Sequence, residues 1–309
     1  MLVAVTGGTG FLGTHTVSAL HAAGHRTRLL AGDVTDRGAV DELLRGADAV
    51  LHAAAVYSFD RRDRAKMVRT NEAGTRTVLD AARAAGLPVT HVSTIAALFP
   101  AAELEAETPV GTPKEPYAAS KAAAERVARA HQADGAPVTI VYPPALIGPD
   151  DPRLGDQTTR LRNALRGLMP IWPSGGFPLG DVRDTAALLA TLVDRPGGRH
   201  FGPNHHLSTA DYLTALREVT GRALPAARLP ARGMLPLGRL VDTLQLAWPW
   251  HLPAEYGAIY TCACDAHVLA PTEQARPVTE TFADTVRWLY EHGHLSARMA
   301  GRIADRAHV

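Results

Sequence analysis

Two hydrophobic rhythms alternate over the first 150 residues. Short apolar runs bounded by glycine or polar turns predict strands at Leu2 to Thr6, Arg26 to Ala31, Ala49 to Ala54, Val89 to Ser93 and Val138 to Tyr142. Apolar residues at helical spacing predict helices over Phe11 to Ala23, Asp36 to Leu44, Lys66 to Ala85 and Pro116 to about His131, with Gly24 and Gly86 as stops. Strand and helix taking turns in this way predict an α/β fold, a doubly wound parallel sheet with helices on both faces. Beyond Gly148 the rhythm breaks. Pro- and Gly-rich connections, among them PSGGFPLG at 173–180, separate helices near 156–168, 182–194, 209–220 and 279–292. The expected organisation is one domain over 1–150, with a return segment at about 181–205, and a smaller, mostly helical region over 151–309.

Composition narrows the function classes. The 309 residues carry 32 Lys plus Arg against 31 Asp plus Glu, and no segment packs five or six like charges together, so nothing favours a nucleic-acid partner. Every apolar run is interrupted well short of the roughly 20 residues that span a bilayer. MLVAVTGGTG enters a strand pattern at once without a basic leader, so the expected location is the cytoplasm. Cys262 and Cys264 are the two thiols, and their spacing is read as a pair of free cysteines.

The turn after the first strand, Gly7-Gly8-Thr9-Gly10-Phe11-Leu12-Gly13, fits Gly-x-x-Gly-x-x-Gly between an apolar strand and a helix. There Gly7 and Gly10 let backbone amides approach a pyrophosphate, the helix N-terminus faces its charge, and Gly13 lets helix and strand pack closely. The first domain is therefore expected to bind a dinucleotide. Asp33, at the end of the second strand, is placed to accept hydrogen bonds from the adenosine ribose, and equally to cap the turn before Asp36.

Tyr117-Ala-Ala-Ser-Lys121 is the most informative string, because Lys occurs three times in the chain, at 66, 114 and 121. On a helix, residues four apart share a face, so the ammonium reaches the neighbourhood of the phenol. A cation there stabilises phenolate and lets tyrosine exchange a proton near neutral pH. Ser93 and Thr94, at the end of the preceding strand, offer hydroxyls to the same reacting group.

With TGGTGFLG and YAASK stand GDVTD at 32–36, LHAAA at 51–55, TNEAGTRTVLDAA at 70–82, HVSTIAAL at 91–98, YPPALIGP at 142–149 and DVRDTAALLA at 181–190. Together they resemble the extended short-chain dehydrogenases/reductases, of the NAD-dependent epimerase/dehydratase and dihydroflavonol-reductase-like group, over nearly the whole chain. The resemblance implies a Rossmann domain, a C-terminal substrate lobe and NAD or NADP as cofactor. It implies Tyr117 as general acid/base, Lys121 on the nicotinamide ribose, and Thr94, with Ser93 as the alternative, polarising the substrate carbonyl. Gly7, Thr9, Gly10, Phe11, Leu12 and Gly13 would hold the pyrophosphate side. Asp33, Val34 and the run His52 to Ala54, including Ala53, would line adenine and ribose. Asn71 would support the central helix or a proton relay, and Pro143 to Ala145 would meet the nicotinamide end. A homodimer is also implied by resemblance.

The chain departs from this family after Leu30, where only Ala31 and Gly32 precede Asp33 and one helix and one strand are missing. Either Asp33 ends the second strand and holds ribose hydroxyls, or that strand is the family's third and Asp33 touches adenine. Arg26 and Arg28 are candidates for a 2′-phosphate or plain edge charges, so NAD and NADP stay undecided.

The remaining clusters carry less. His205-His206 and Cys262-Ala-Cys-Asp-Ala-His267 lack two ligand pairs at a structural-zinc spacing, and no metal is expected. Asp150 and Asp151 read as capping or solvated residues. Arg162 and Arg166 read as one solvated face, with Arg160 nearby. Trp172, Phe177, Met234, Trp248, Trp250, Tyr256 and Tyr260 suit a bulky apolar or aromatic ketone, and core packing explains them equally well. The expected activity is NAD(P)-dependent reduction of a ketone or aldehyde, or oxidation of the alcohol, on a small molecule. The alternatives are a nucleotide-sugar epimerase or dehydratase with tightly held NAD, and a non-catalytic dinucleotide-binding protein.

Overall fold

The computed structural model describes residues 1–56, 67, 69–244, 256–269 and 275–306. The chain divides into two compact units, one of Met1–Pro144, Thr185–Gly202 and Val268–Pro271, the other of Ala145–Asp184, Pro203–His267 and Thr272–Val309.

The first unit starts with β1 (Leu2–Thr6), α1 (Phe11–Ala22), β2 (Arg26–Leu29), α2 (Arg37–Leu44) and β3 (Ala49–His52). It continues through α3 (Gly74–Ala84), β4 (Val89–Val92), α4 (Pro116–Ala133) and β5 (Val138–Tyr142). α6 (Val182–Leu192) and β9 (Arg199–Phe201) return to it later in the chain. The six strands form one sheet in the order β9-β5-β4-β3-β1-β2, every pair parallel, with Val3 opposite Ala49 and Val5 opposite Leu29. Residues of β1, β3, β4 and β5 are buried almost throughout, as a sheet covered on both faces requires. One core joins Val3, Val5, Leu51 and Val141 to Leu20 of α1 and Leu189 of α6.

β2 pairs directly with β1 and is the outer strand, with Arg26, Arg28 and Leu29 exposed. It takes the place next to β1, and no described strand stands beyond it. This favours the alignment in which Asp33 follows the second strand rather than the third.

Local sequence explains the helix starts. Asp36 caps α2 by accepting from Gly38 N–H at 2.8 Å, and Pro116 occupies the first turn of α4, where its missing N–H costs nothing. The helix expected over Lys66 to Ala85 differs. Lys66 lies outside the described residues, Arg69–Ala73 forms a wide π turn, and regular helix begins at Gly74. The Asn71 side chain is anchored to Val56 and Ser120 from within that turn.

The second unit holds β6 (Ala145–Ile147), α5 (Asp156–Leu165), β7 (Ile171–Ser174), β8 (Gly176–Asp181), β10 (His205–Ser208) and α7 (Thr209–Thr220). β11 (Ala227–Pro230), α8 (Ala231–Leu244), α9 (Tyr256–Cys264) and α10 (Val278–Glu291) follow. β8 lies between β10, antiparallel, and β6, parallel, while β7 pairs with β11. The stretch read as Pro- and Gly-rich connections is thus two strands. Their partners lie 26 to 56 positions away and cannot be seen locally, and Pro173 and Pro178 read as breakers although each sits in a strand. Pro236 likewise masks α8, and α9, apolar on most sides, shows no helical period. Trp172, Phe177, Tyr212 and Phe282 centre this unit's core. No described helix is long and apolar enough to cross a membrane.

Candidate active site

The glycine turn is built by contact rather than by flexibility alone. Gly7 has φ +74°, and a Cβ there would lie 2.5 Å from the backbone of Ala53 and Ala54; one on Gly13 would lie 2.0 Å from the Gly7 carbonyl oxygen. Both positions exclude any side chain, so β1, β3 and α1 meet backbone to backbone. Gly10 is the N-cap of α1 and brings no side-chain acceptor, and no acidic residue stands in the first turn. The amides at that helix end are therefore open to an anion. Thr9 is exposed, Leu12 packs against the core, and the Phe11 ring meets His15 edge-on at 5.5 Å.

The next strand ends carry the other groups. Ser93 follows β4, buried, with its hydroxyl unpartnered among the described residues, whereas Thr94 accepts Ala96 N–H at 3.3 Å. The Pro143 carbonyl after β5 accepts Ile95 N–H at 3.2 Å, joining the two strand ends. Ala145 opens β6 in the second unit.

Tyr117 and Lys121 lie one turn apart near the start of α4. Glu115, buried and absent from the sequence reading, caps that helix by accepting Tyr117 N–H at 2.9 Å and Ala118 N–H at 2.7 Å. Its signal was available as a glutamate immediately before Pro116. Lys121 is buried, and Nζ donates to the Val92 carbonyl at 3.0 Å, at the end of β4. Burial pushes its ammonium down to about 8, with Glu125 pulling the other way. Glu125 in turn accepts from Tyr142 Oη at 2.6 Å and Arg129 Nε at 2.8 Å, which fixes α4 against β5.

Asn71 is buried and clamps three places. Its Oδ1 accepts Val56 N–H at 2.8 Å, and Nδ2 donates to the Val56 carbonyl at 3.0 Å and to Ser120 Oγ at 2.9 Å. Ser120 Oγ donates to the Tyr117 carbonyl at 2.7 Å, so Asn71 supports the turn that bears Tyr117.

His52, expected beside Ala53 and Ala54 on a cofactor-facing surface, is instead buried between two threonines. Thr6 Oγ1 lies 2.7 Å from Nδ1 and Thr75 Oγ1 lies 3.0 Å from Nε2. Thr75 gives its proton to the Asn71 carbonyl, so it accepts from Nε2–H, and Nδ1 accepts from Thr6, which itself takes Ala54 N–H. Burial, helped by Lys121, pushes His52 down to about 3, and the ring is neutral. His91, stacked on it at 5.3 Å, is held well below its ordinary value by the same burial.

Asp33 is exposed and accepts from Thr35 N–H at 2.9 Å and Thr35 Oγ1 at 2.8 Å, shaping its own turn. Val34 is buried against Gly74. Arg28 donates to the carbonyls of Leu43 and Arg45 at 3.2 and 2.5 Å, so its guanidinium is engaged at the end of α2.

In the second unit a cavity of about 210 Å³ is walled by Trp172, Phe177, Met234, Leu237, Ile259 and Cys262, with Asp156, Thr159, Arg160 and Asn163 of α5 on its polar side. A cavity of about 150 Å³ already holds one benzene ring. Trp248 and Trp250 lie outside the described residues. Cys262 and Cys264 are free, and burial pushes both thiols up to about 11. Asp151 is buried and accepts from Gly155 N–H and Thr158 Oγ1, tying the loop to the start of α5, whose N-cap is Gly155 without a side-chain cap. Asp181, which opens the string DVRDTAALLA, accepts from Arg183 Nε and Nη2 and from Thr281 Oγ1, while Arg183 also reaches Asp284 at 2.8 Å.

Residues 3–202 match the family described as NAD dependent epimerase/dehydratase. Sterol demethylase protein B of Methylococcus capsulatus is 30% identical over 271 residues, covering 79% of this chain and 82% of the relative. A putative dihydroflavonol 4-reductase of Synechocystis is 28% identical over 336 residues, covering 95% and 96%. The crystal structure of gox2253 superposes with a TM-score of 0.79 at 24% identity over 96% of this chain and 99% of the other, a likeness of fold.

Proposed function

The chain belongs to the NAD-dependent epimerase/dehydratase family, and on that footing we propose that it is an oxidoreductase reducing a ketone or aldehyde, or oxidising the alcohol, with Tyr117 as the general acid/base. The observation that carries the reading is Lys121, buried one helical turn from Tyr117 with Nζ held by the Val92 carbonyl at 3.0 Å. A nicotinamide dinucleotide fits the bare backbone at Gly7 and Gly13 and the uncapped start of α1, and when bound it supplies or accepts the hydride. In the reductive direction Tyr117 gives its phenolic proton to the carbonyl oxygen. Lys121 stabilises the phenolate left behind, and Ser93, whose hydroxyl has no partner among the described residues, or Thr94 donates a hydrogen bond to the same oxygen.

NAD is the cofactor this site favours over NADP. Asp33 places an exposed carboxylate after β2, where a 2′-phosphate would be repelled, and Arg28 is engaged by two carbonyls. For the substrate, the aromatic and aliphatic walls of the second unit's pocket support a bulky apolar or aromatic molecule, in keeping with the sterol and flavonoid named for the two relatives. A nucleotide-sugar epimerase or dehydratase is the second reading. Arg160 on the pocket wall favours it by offering a cation to a diphosphate, and Asp156 on the same wall opposes it.

Tyr117→Phe tests the mechanism. Turnover falls by roughly 10²–10⁴-fold while NADH affinity, followed by nicotinamide fluorescence, stays close to the parent value. Retained turnover removes Tyr117 from the chemistry. Reduced cofactor that is never consumed, with product still formed, moves the protein to the epimerase reading.

A further inference from the structure

Two histidine-bearing strings that lie about 60 residues apart in the sequence meet in the second unit. His206 stands on β10, and Asp265 and His267 follow the end of α9. One donor atom from each lies within 4.8 Å of the others. The His206 and His267 rings stack with centroids 3.6 Å apart, and His206 Nε2 lies 3.1 Å from Asp265 Oδ1.

The surrounding backbone holds this cluster in place. Gly176 N–H donates to Asp265 Oδ1 at 2.7 Å, and a Cβ on Gly176 would lie 2.4 Å from the His206 ring, so the absent side chain is what admits the imidazole. Asp265 itself has φ +48°, a left-handed conformation uncommon outside glycine, which aims its carboxylate back at β10. Two imidazoles and one carboxylate are the donor set of borderline divalent ions, with water in the open positions, whereas magnesium and calcium require oxygen ligands.

We propose that His206, Asp265 and His267 bind one divalent transition-metal ion of the zinc, cobalt or nickel class. Ligand atoms about a tetrahedral ion with bonds of about 2.0–2.1 Å sit roughly 3.4 Å apart, a closure that rotation of the exposed His267 supplies. Binding exchanges the His206–Asp265 hydrogen bond for coordination, the ring proton moving to Nδ1 so that the Nε2 lone pair is free for the ion. Both histidines enter as neutral rings. The ion would fasten the segment after α9 to β10, and α9 supplies Ala258, Ile259 and Cys262 to the wall of the apolar pocket.

The test uses the full chain, stripped with chelator and titrated with Zn²⁺ by calorimetry and with Co²⁺ by visible absorption. One equivalent binds to the parent protein, with d–d bands typical of nitrogen and oxygen ligation and a Tm raised by several degrees at saturating zinc. His267→Gln replaces an exposed ring, and Asp265→Asn keeps an acceptor for Gly176 N–H. Each weakens binding at least about tenfold and abolishes the zinc-dependent Tm rise, while the metal-free Tm changes little. Absence of saturable one-equivalent binding, or parent-like affinity in both variants, overturns the proposal. The second result would place the ion elsewhere, at Cys264 for instance.

Discussion

Each unit holds a buried polar cluster of its own kind. In the first, Thr6, His52, Thr75 and Asn71 form a chain of neutral hydrogen bonds beneath the glycine turn, and burial keeps the imidazole uncharged. In the second, Arg183 pairs with both Asp181 and Asp284, and Thr281 completes the shell of the Asp181 carboxylate, which has no exposed side-chain surface. A neutral chain costs little desolvation and fails when a proton is added. An ionic cluster carries a large desolvation cost and fails when one partner is removed. The same fold therefore has two distinct weak points.

The largest expected effect is at the glycine turn. Gly13→Ala sets a methyl 2.0 Å from the Gly7 carbonyl, against backbone that cannot move without separating β1 from α1. A loss of roughly 4 kcal/mol or more is expected, visible as a lowered urea midpoint or as failure to accumulate folded protein. A parent-like midpoint would mean that the turn yields. In the second unit, Arg183→Met leaves Asp181 buried without its main partner and is expected to cost about 3 kcal/mol, while Asp181→Asn in the same background recovers part of the loss. If the double variant is no more stable than the single one, the carboxylate charge is not what fails.

Acid sharpens the comparison with a smaller effect. The folded His52 resists protonation down to about 3, whereas the unfolded chain takes up the proton near 6.5, so its contribution is lost as pH falls through that window, about 2 kcal/mol of it by pH 5. Arg183 and its hydrogen bonds hold Asp181 below its ordinary 3.8, so that contribution stays whole until pH drops under 3.8 and disappears through the lower folded value. Between pH 6.5 and 4, urea midpoints read by far-UV circular dichroism should fall, as the unfolded chain takes up the proton that folded His52 refuses. A midpoint that stays level across this range would remove His52 from the acid response.

The parallel sheet and most helices of the first half were legible because each strand and each helix announces itself within about ten residues. The glycine turn, Tyr117 and Lys121 were legible for the same reason, being local strings with a fixed spacing. Glu115's cap was readable in the local string, as a glutamate two residues before Tyr117, whereas Asn71's hold on Ser120 and the burial of His52 were hidden because each depends on a partner brought near by the fold. β7 and β8 were hidden because their proline residues look like breaks until strands from later in the chain pair with them. His206 and His267 carried no message apart, since the spacing that relates them exists only in the folded unit.

β2 also dictates a kinetic pattern. The amides of Arg26 and Leu30 donate to the carbonyls of Met1 and Val5, and alternation along a parallel strand turns those of Thr27 and Leu29 to the side where no described strand stands. In deuterated water the first pair would keep its protons for as long as β1 holds together, and the second pair would give them up almost at once, a tick of slow and fast exchange every second residue.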